Sequence, residues 1–399
     1  MLSKRAQNIT PAITIELSAR ISQLNAQGQD IIKLNIGEPD FPPPKNVSVA
    51  AIEAVEQNRA KYAPVPGIPE LRRAICDKLE RDNHISCAPD QICVSAGAKQ
   101  AIVNAMLAIC DPGDEIILPT PCWVSYEEIV KLAGGVPVTV PCRAEAGFAL
   151  DLEAVRRAVT TRTKGIILCT PNNPTGAVYC EEDLRRLAEL ALESGLYIIS
   201  DEIYEKLLYD GAVHCSIASI SPEVQRRCIT VNGFSKAYAI PGWRLGYSAA
   251  PPELAAGIRA IQGHMTSSAN TLAQWAGVQA LTGPQEALAE MRQEYETRRD
   301  FMFQSLQAMP GIRVQKPSGA FYLFPDVSAC FGMRRGDFRI NNAKDLAGYL
   351  LEEGKIAVVF GEAFLHPGHL RLSYANSMDN LRRAMERMAG ALAKLEPAP

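Results

Sequence analysis

The sequence predicts an α/β protein: a large domain with a mostly parallel sheet flanked by helices, and a smaller α+β domain assembled from both chain ends. Three observations carry this expectation. Short apolar runs alternate with helical stretches from Gln91 to about Ala250, the rhythm of a parallel sheet covered by helices. The 399 residues exceed what one core ordinarily holds. Strand-like patterns return after Ile312 and also occur near the start, at Ile31–Ile36. The boundaries fall at 1–46 for the arm and part of the small domain, 47–290 for the large domain, and 291–399 for the rest of the small one.

Taken in order, residues 1–28 read as a polar arm and a modest helix with Ile15, Ala19 and Leu24 loosely on one face. Ile31–Ile36 reads as a strand ending in Gly37-Glu38-Pro39, and a helix begins near Val47. Pro69 stands where a helix accepts its first residue, and that helix runs to about Arg81. Strands are predicted at Ile92–Val94, Glu115–Leu118, Val136–Val140, Gly165–Cys169, Leu196–Ile199 and Cys228–Val231. Helices are predicted at Gln100–Ile109, Leu152–Val159 and Glu181–Glu193. Further helices are expected at Glu253–Thr266, Leu272–Leu281 and Pro284–Met309, the last highly charged around Arg298, Arg299 and Asp300. Ile312–Val327 alternates like strands, Ala343–Glu353 is helical, and Ile356–Val359 and His369–Tyr374 are strands before a closing helix.

Composition narrows the class. Hydrophobic residues make up 47% and charged residues 21%, with 41 Lys and Arg against 44 Asp and Glu, a net charge of −3. That balance leaves no electrostatic footprint for nucleic acid. No apolar run approaches a membrane span. Eleven Cys occur with no CxxC pair, and no apolar leader segment is evident, so reduced thiols and a cytoplasmic location are expected. His366-x-x-His369 flanks Pro367-Gly368 and reads as a turn, so no metal is expected.

The chemistry concentrates where predicted strands end. The stretch Asn232–Tyr247 follows the run Cys228–Val231 as a polar loop and, after Pro241-Gly242, a second apolar segment, with Lys236 and, eight positions on, Arg244. A loop lysine held by rigid strands can act as an amine nucleophile once its surroundings lower its pKa. A nearby Arg matches two phosphate oxygens at once. Ser95–Gln100 joins a strand to a helix, and helix N-termini with small residues admit anions, although the GxGxxG spacing of dinucleotide sites is missing. Strand Leu196–Ile199 delivers Asp201, an acid whose burial is costly without a cationic partner. Pro171–Gly176 is a rigid turn presenting Asn173. Arg371 lies within an apolar strand, where a cation calls for an anion.

Ser235-Lys236-(x)5-Gly242-Trp243-Arg244-x-Gly246 resembles the cofactor-lysine segment of class I aminotransferases, and the likeness extends over nearly the whole chain, nearest to the bacterial aspartate aminotransferase-like subgroup. The resemblance implies the type I aminotransferase fold and pyridoxal 5'-phosphate held covalently by Lys236, which also shuttles the substrate proton. It implies Asp201 at the pyridine nitrogen, Tyr204 and Asn173 at the phenolic oxygen, and Trp123 stacked on the ring. Gly97, Ala98, Lys99, Ser235 and Arg244 would take the phosphate, with Tyr62 reaching it from the neighbouring subunit of a homodimer. Arg371 and Gly37 would take the substrate α-carboxylate, with Trp123 and Asn173 also lining the substrate site. Lys99 and Thr14 would meet the distal carboxylate of aspartate.

The implied reaction moves an amino group from an amino acid, aspartate first, to a 2-oxo acid, 2-oxoglutarate first, with ping-pong kinetics. Alternatives are an aminotransferase for aromatic or neutral amino acids or prephenate, a carbon–sulfur β-lyase, and a non-catalytic regulator, which would need a DNA-binding extension. The sequence departs from the family pattern at Phe360-Gly361, Ile240-Pro241 and His264-Met265, positions expected to bear on substrate preference.

Overall fold

The computed structural model describes residues 2–11 and 21–397. Ile15, Ala19 and Thr14 lie outside them. Lys4–Asn8 and residues 21–26 are helical, and Ile21 is buried with Ile31, Leu351 and Ala357.

The predicted alternation becomes a seven-stranded sheet. After a short strand β1 (Ile32–Lys33) come β2 (Ile92–Ser95), β3 (Glu115–Thr120), β4 (Val136–Pro141), β5 (Thr163–Cys169), β6 (Tyr197–Asp201), β7 (Cys228–Gly233) and β8 (Gly246–Ala249). Their order is β2-β8-β7-β6-β5-β3-β4. Every pairing is parallel except those of β8, which runs antiparallel to β2 and β7. Central strands such as Gly165–Cys169 are buried on both faces, which is why they read as continuous Ile/Leu/Val runs rather than as alternation. The chain leaves β3 towards β4 on one side and β5 towards β6 on the other. That reversal between β3 and β5 opens a crevice at the strands' carboxyl ends.

Helices fall where expected, several with side-chain caps: Asp151 before Leu152–Ala158, Asn270 before Thr271–Thr282, Asn342 before Ala343–Glu352 and Ser377 before Met378–Leu392. The charged middle of Glu286–Gln307 is not a solvated face. Arg299 is fully buried against Asp210 and Asp300, and Arg298 pairs with Asp40.

Three expectations need correction. Ile31–Ile36 is strand only at Ile32–Lys33, which pairs in parallel with Ile356–Ala357; beyond Leu34 the backbone turns into the crevice instead of continuing a ladder. Ile312–Val327 is strand only at β9 (Tyr322–Leu323), the rest being loop with the isolated bridges Arg313–Asp326, Leu208–Gly319 and Asp326–His369. Its alternation records burial of Phe321–Phe324 against the core rather than pairing. Ile356–Val359 splits into Ile356–Ala357 and Val359–Phe360, which join different sheets. Ser125–Leu132 is a further helix, one that the pattern of apolar residues does not announce. Its first turn follows Pro121-Cys122-Trp123, whose loop character masks the start.

The sheet containing Val359–Phe360, Leu370–Ser373 and β9 is antiparallel, and Ser373 N donates to Leu34 O at 2.8 Å. The chain's beginning is thus stitched to its last third, and both reach the crevice together.

Candidate active site

A cavity of about 570 Å³ opens at the carboxyl ends of the parallel strands. Five strands contribute: β2 leads to Ala98 and Lys99, β3 to Trp123, β5 to Asn173, β6 ends in Asp201, and β7 leads to Ser235 and Lys236. Gly37 and Arg371 enter from the other side.

The Lys236 amine donates to the Gly37 carbonyl. Its pKa falls to about 8, first because burial disfavours the ammonium form, then because the Arg371 guanidinium repels it; Glu38 and Asp201 pull the other way. Asp201 is buried at the end of β6, and that burial raises its carboxyl to about 6 against the hydrogen bonds it accepts. These come from Tyr126 Oη at 2.6 Å and from Ile203 N at 3.3 Å. The partner expected for the buried acid is therefore a phenol, not a cation.

Arg371 is 3% exposed, and no carboxylate pairs with it among the described residues. One Nη1 proton goes to Asn173 Oδ1 at 3.0 Å and one Nη2 proton to the Asn35 carbonyl at 2.8 Å. Its Nε is buried with no protein acceptor. Two of five guanidinium N–H groups are thus used, and the plane is packed against Tyr322 and Phe364, 4.5 and 5.0 Å from their ring centroids. A buried guanidinium with spare donors is built for an anion that comes and goes. Tyr322 Oη also lies 2.8 Å from Tyr204 Oη, and a Cβ at Gly37 would fall 2.6 Å from it. Gly37 is glycine because Tyr322 occupies that space.

The opposite end is cationic. No side chain caps the helix Ala98–Ile109, so its first N–H groups face the cavity mouth. Gly97 has φ +84°, and a Cβ there would collide with the Arg244 guanidinium. Arg244 itself adopts φ 52° and donates to Pro241 O at 2.8 Å. Ser235 lies alongside, and Lys99 Nζ sits 4.8 Å from the Trp123 ring centroid. Partial burial and Arg244 lower the pKa of Lys99.

Beneath Asp201, Glu202 is fully buried and accepts from Ser200 Oγ (2.8 Å), Ser216 Oγ (2.7 Å) and Asn83 Nδ2 (3.2 Å), with His214 Nε2 at 2.9 Å. Glu205 pairs with Lys78; although burial pushes its carboxyl up, Lys78 and His214 hold it at about 2. Glu202, Glu205 and His214 have the mutual spacing of metal ligands, but the Lys78 ammonium already supplies the positive charge.

Of the residues singled out from sequence, Lys236, Asp201, Tyr204, Ala98, Lys99, Trp123, Asn173, Ser235, Arg244, Gly37 and Arg371 line this cavity. Gly97 adjoins it through Arg244. Tyr62 does not: it is 98% exposed. Thr14 is outside the described residues. Of the positions of departure, Pro241 borders the cavity, whereas Phe360 and His264 do not. Sequence reasoning missed Tyr322, Tyr126 and Asn35. Asn35, a polar residue between Leu34 and Ile36 in an otherwise largely apolar run, carried a signal that could have been used.

The family described as aminotransferase class I and II matches residues 29–388. The aspartate/prephenate aminotransferase of Thermus thermophilus is 46% identical over 98% of this chain and 99% of its own. The crystal structure of the Rhizobium meliloti aspartate aminotransferase superposes with a TM-score of 0.96 at 39% identity, covering 99% and 100% of the two chains. Thermus thermophilus aspartate aminotransferase with maleate gives 0.92 at 44% identity, covering 98% and 99%.

Proposed function

The chain belongs to the class I and II aminotransferases, and from that premise we propose that it transfers the amino group of aspartate to a 2-oxo acid, first 2-oxoglutarate, using pyridoxal 5'-phosphate. The observation that carries this reading is the Lys236 amine, depressed to about pH 8, set between a buried carboxylate and a guanidinium with spare donors.

The residues fit the cofactor group by group. The uncapped helix, Ser235 and Arg244 suit its phosphate, and Gly97 leaves the room that a Cβ would fill. Asp201 suits the ring nitrogen. Tyr204 suits the phenolic oxygen, as does the amide nitrogen of Asn173, whose oxygen is already engaged by Arg371. Trp123 suits a ring face. When bound, the cofactor supplies an electron sink for the substrate's α-carbon. Lys236, whose burial favours the neutral nucleophilic amine, would hold it covalently and would move the substrate's α-proton. Arg371 would grip the α-carboxylate through its remaining Nη protons.

We assign Lys99 the distal carboxylate of aspartate and keep Thr14, outside the described residues, as an expectation for the same group; the dicarboxylate maleate named with the Thermus thermophilus relative supports a dicarboxylic substrate. A charge-assisted hydrogen bond contributes about 1.5–3 kcal/mol. Lys99→Ala is therefore expected to lower kcat/KM for aspartate by roughly 10- to 150-fold, while activity with alanine falls much less. Equal losses, measured with saturating cofactor, would move the specificity determinant elsewhere. The reading as a whole is tested by assaying purified protein with cofactor against a panel of acidic, aromatic and neutral amino donors with 2-oxoglutarate, and with prephenate as an alternative acceptor. Preference for a neutral donor would overturn it.

We further assign a homodimer with shared sites. Tyr62 protrudes, and Val49, Ile52 and Val55 are exposed along the helix Lys45–Glu56, an apolar face of the kind that subunits cover. Mixing inactive Tyr62→Phe and Lys236→Ala proteins is expected to restore activity in hybrid dimers. No recovery under conditions that exchange subunits would refute a shared site. The division at about residues 46 and 290 is retained, supported by the pairing of β1 with Ile356–Ala357. The eleven free cysteines support a reducing, cytoplasmic setting. Among the described residues no helix is long and apolar enough to cross a membrane.

A further inference from the structure

Two thiols far from the cavity meet in a way the transamination does not use. Cys76 lies on the helix Pro69–Asn83, which ends at His84 in a left-handed conformation, φ 55°. The chain then runs back along the same helix. Ile85 N donates to Leu79 O at 3.0 Å, Cys87 Sγ lies 3.6 Å from Cys76 Sγ, and Arg72 Nη1 donates to Pro89 O at 3.0 Å. The three contacts climb the helix in register, so the approach of the sulfurs is fixed by the backbone path on both sides. Both thiols are half-buried, whereas seven of the other cysteines are buried, Cys180 is exposed and Cys215 is half-buried. No other cysteine donates to or accepts from a second thiol among the described residues.

We propose that Cys76 and Cys87 are a modification site that closes to a reversible intramolecular disulfide on reaction with a low-molecular-weight disulfide such as oxidised glutathione. The Cys76 thiolate attacks one sulfur of the small disulfide and expels one thiol. Cys87 then gives its proton to solvent and attacks the Cys76 sulfur of the mixed disulfide, expelling the second thiol. Two protein thiols are oxidised and one small disulfide is reduced to two thiols, so electrons balance. Cys76 suits the first role. The thiol of Cys87 donates to it and Arg72, one turn earlier, adds positive charge, against burial, Asp77 and Asp90, leaving its pKa below the ordinary value. Bond formation shortens the 3.6 Å contact to about 2.0 Å. The link would staple the turn that carries Asn83, and Lys78 on the same helix with Asn83 holds the Glu202–Glu205 pair beneath Asp201.

The test incubates the holoenzyme with excess oxidised glutathione, alkylates the remaining thiols and maps tryptic peptides without reduction. Lys78 and Arg81 separate the two cysteines, so the link joins two peptides. The expected result is loss of two alkylatable thiols, a Cys76–Cys87 cross-linked peptide that dithiothreitol releases, and a Tm raised by several degrees in the linked form. Cys87→Ser should stop at glutathione retained on Cys76. Cys76 and Cys87 both alkylated in the wild type, as located by fragmentation because Cys93 shares the Cys87 peptide, or glutathione held on Cys76 with no cross-link, would overturn the proposal, as would an unchanged Tm overturn the stapling.

Discussion

Lys236→Ala is expected to lower kcat by roughly 10⁴-fold or more, because one substitution removes both the covalent anchor and the proton carrier. Borohydride treatment of wild-type protein with cofactor labels the peptide containing Lys236 and leaves the variant unlabelled. Reduction onto another lysine would end the central assignment. The pH dependence is a second readout. A buried amine with pKa about 8 is half neutral at that pH, whereas a solvated lysine needs about 10.4. Covalent attachment to the cofactor-free protein should therefore accelerate with pH and level off above about 8; a midpoint above 10 would show that the amine is not held as described. The sign for stability follows. Between pH 8 and the unfolded value the unfolded chain binds more protons, so stability rises with pH there and is lower below 8.

Much of this site could be read in the sequence because its parts stand where short-range pattern changes. Asp201 ends an apolar run, Lys236 and Arg244 punctuate a strand–loop–strand segment, and Arg371 interrupts a strand. Each is a local conflict between polarity and burial, and such conflicts mark function more often than error. Tyr322 and Tyr126 carry no such signal. An aromatic residue in Phe321–Phe324 or at the start of a helix satisfies ordinary packing, and only closure of the fold brings Tyr322 Oη to Tyr204 and Tyr126 Oη to Asp201. The Glu202–His214 pair is equally hidden, since the loop between them sets their distance. The same limit explains the β1 error: Ile31–Ile36 has strand composition throughout, but its partner is only the two-residue Ile356–Ala357. Periodicity states which residues are buried and is silent on how far a neighbour extends.

Asp201→Asn should separate catalysis from stability. It keeps the side chain's shape while removing the charge that would hold the cofactor's ring nitrogen protonated. A positioned buried charge contributes several kcal/mol to barrier lowering, so kcat is expected to fall by about 10³-fold or more while covalent attachment at Lys236 persists. Cofactor-free protein should respond in the opposite direction. Asp201 titrates near 6 in the fold because burial penalises its ionised form, against about 3.9 unfolded. From about pH 4 to 6 the folded state binds more protons, so stability falls as pH rises and the full cost is present at pH 7. Two pKa units correspond to on the order of 3 kcal/mol, reduced in the variant by the loss of one acceptor for Tyr126 or Ile203. Denaturant unfolding of the cofactor-free proteins should then show Asp201→Asn more stable than wild type at pH 7.5 and no more stable at pH 4. A variant that keeps activity within ten-fold would rule out the role at the ring nitrogen. One that is no more stable at pH 7.5 would show that Tyr126 and Ile203 already compensate the buried charge.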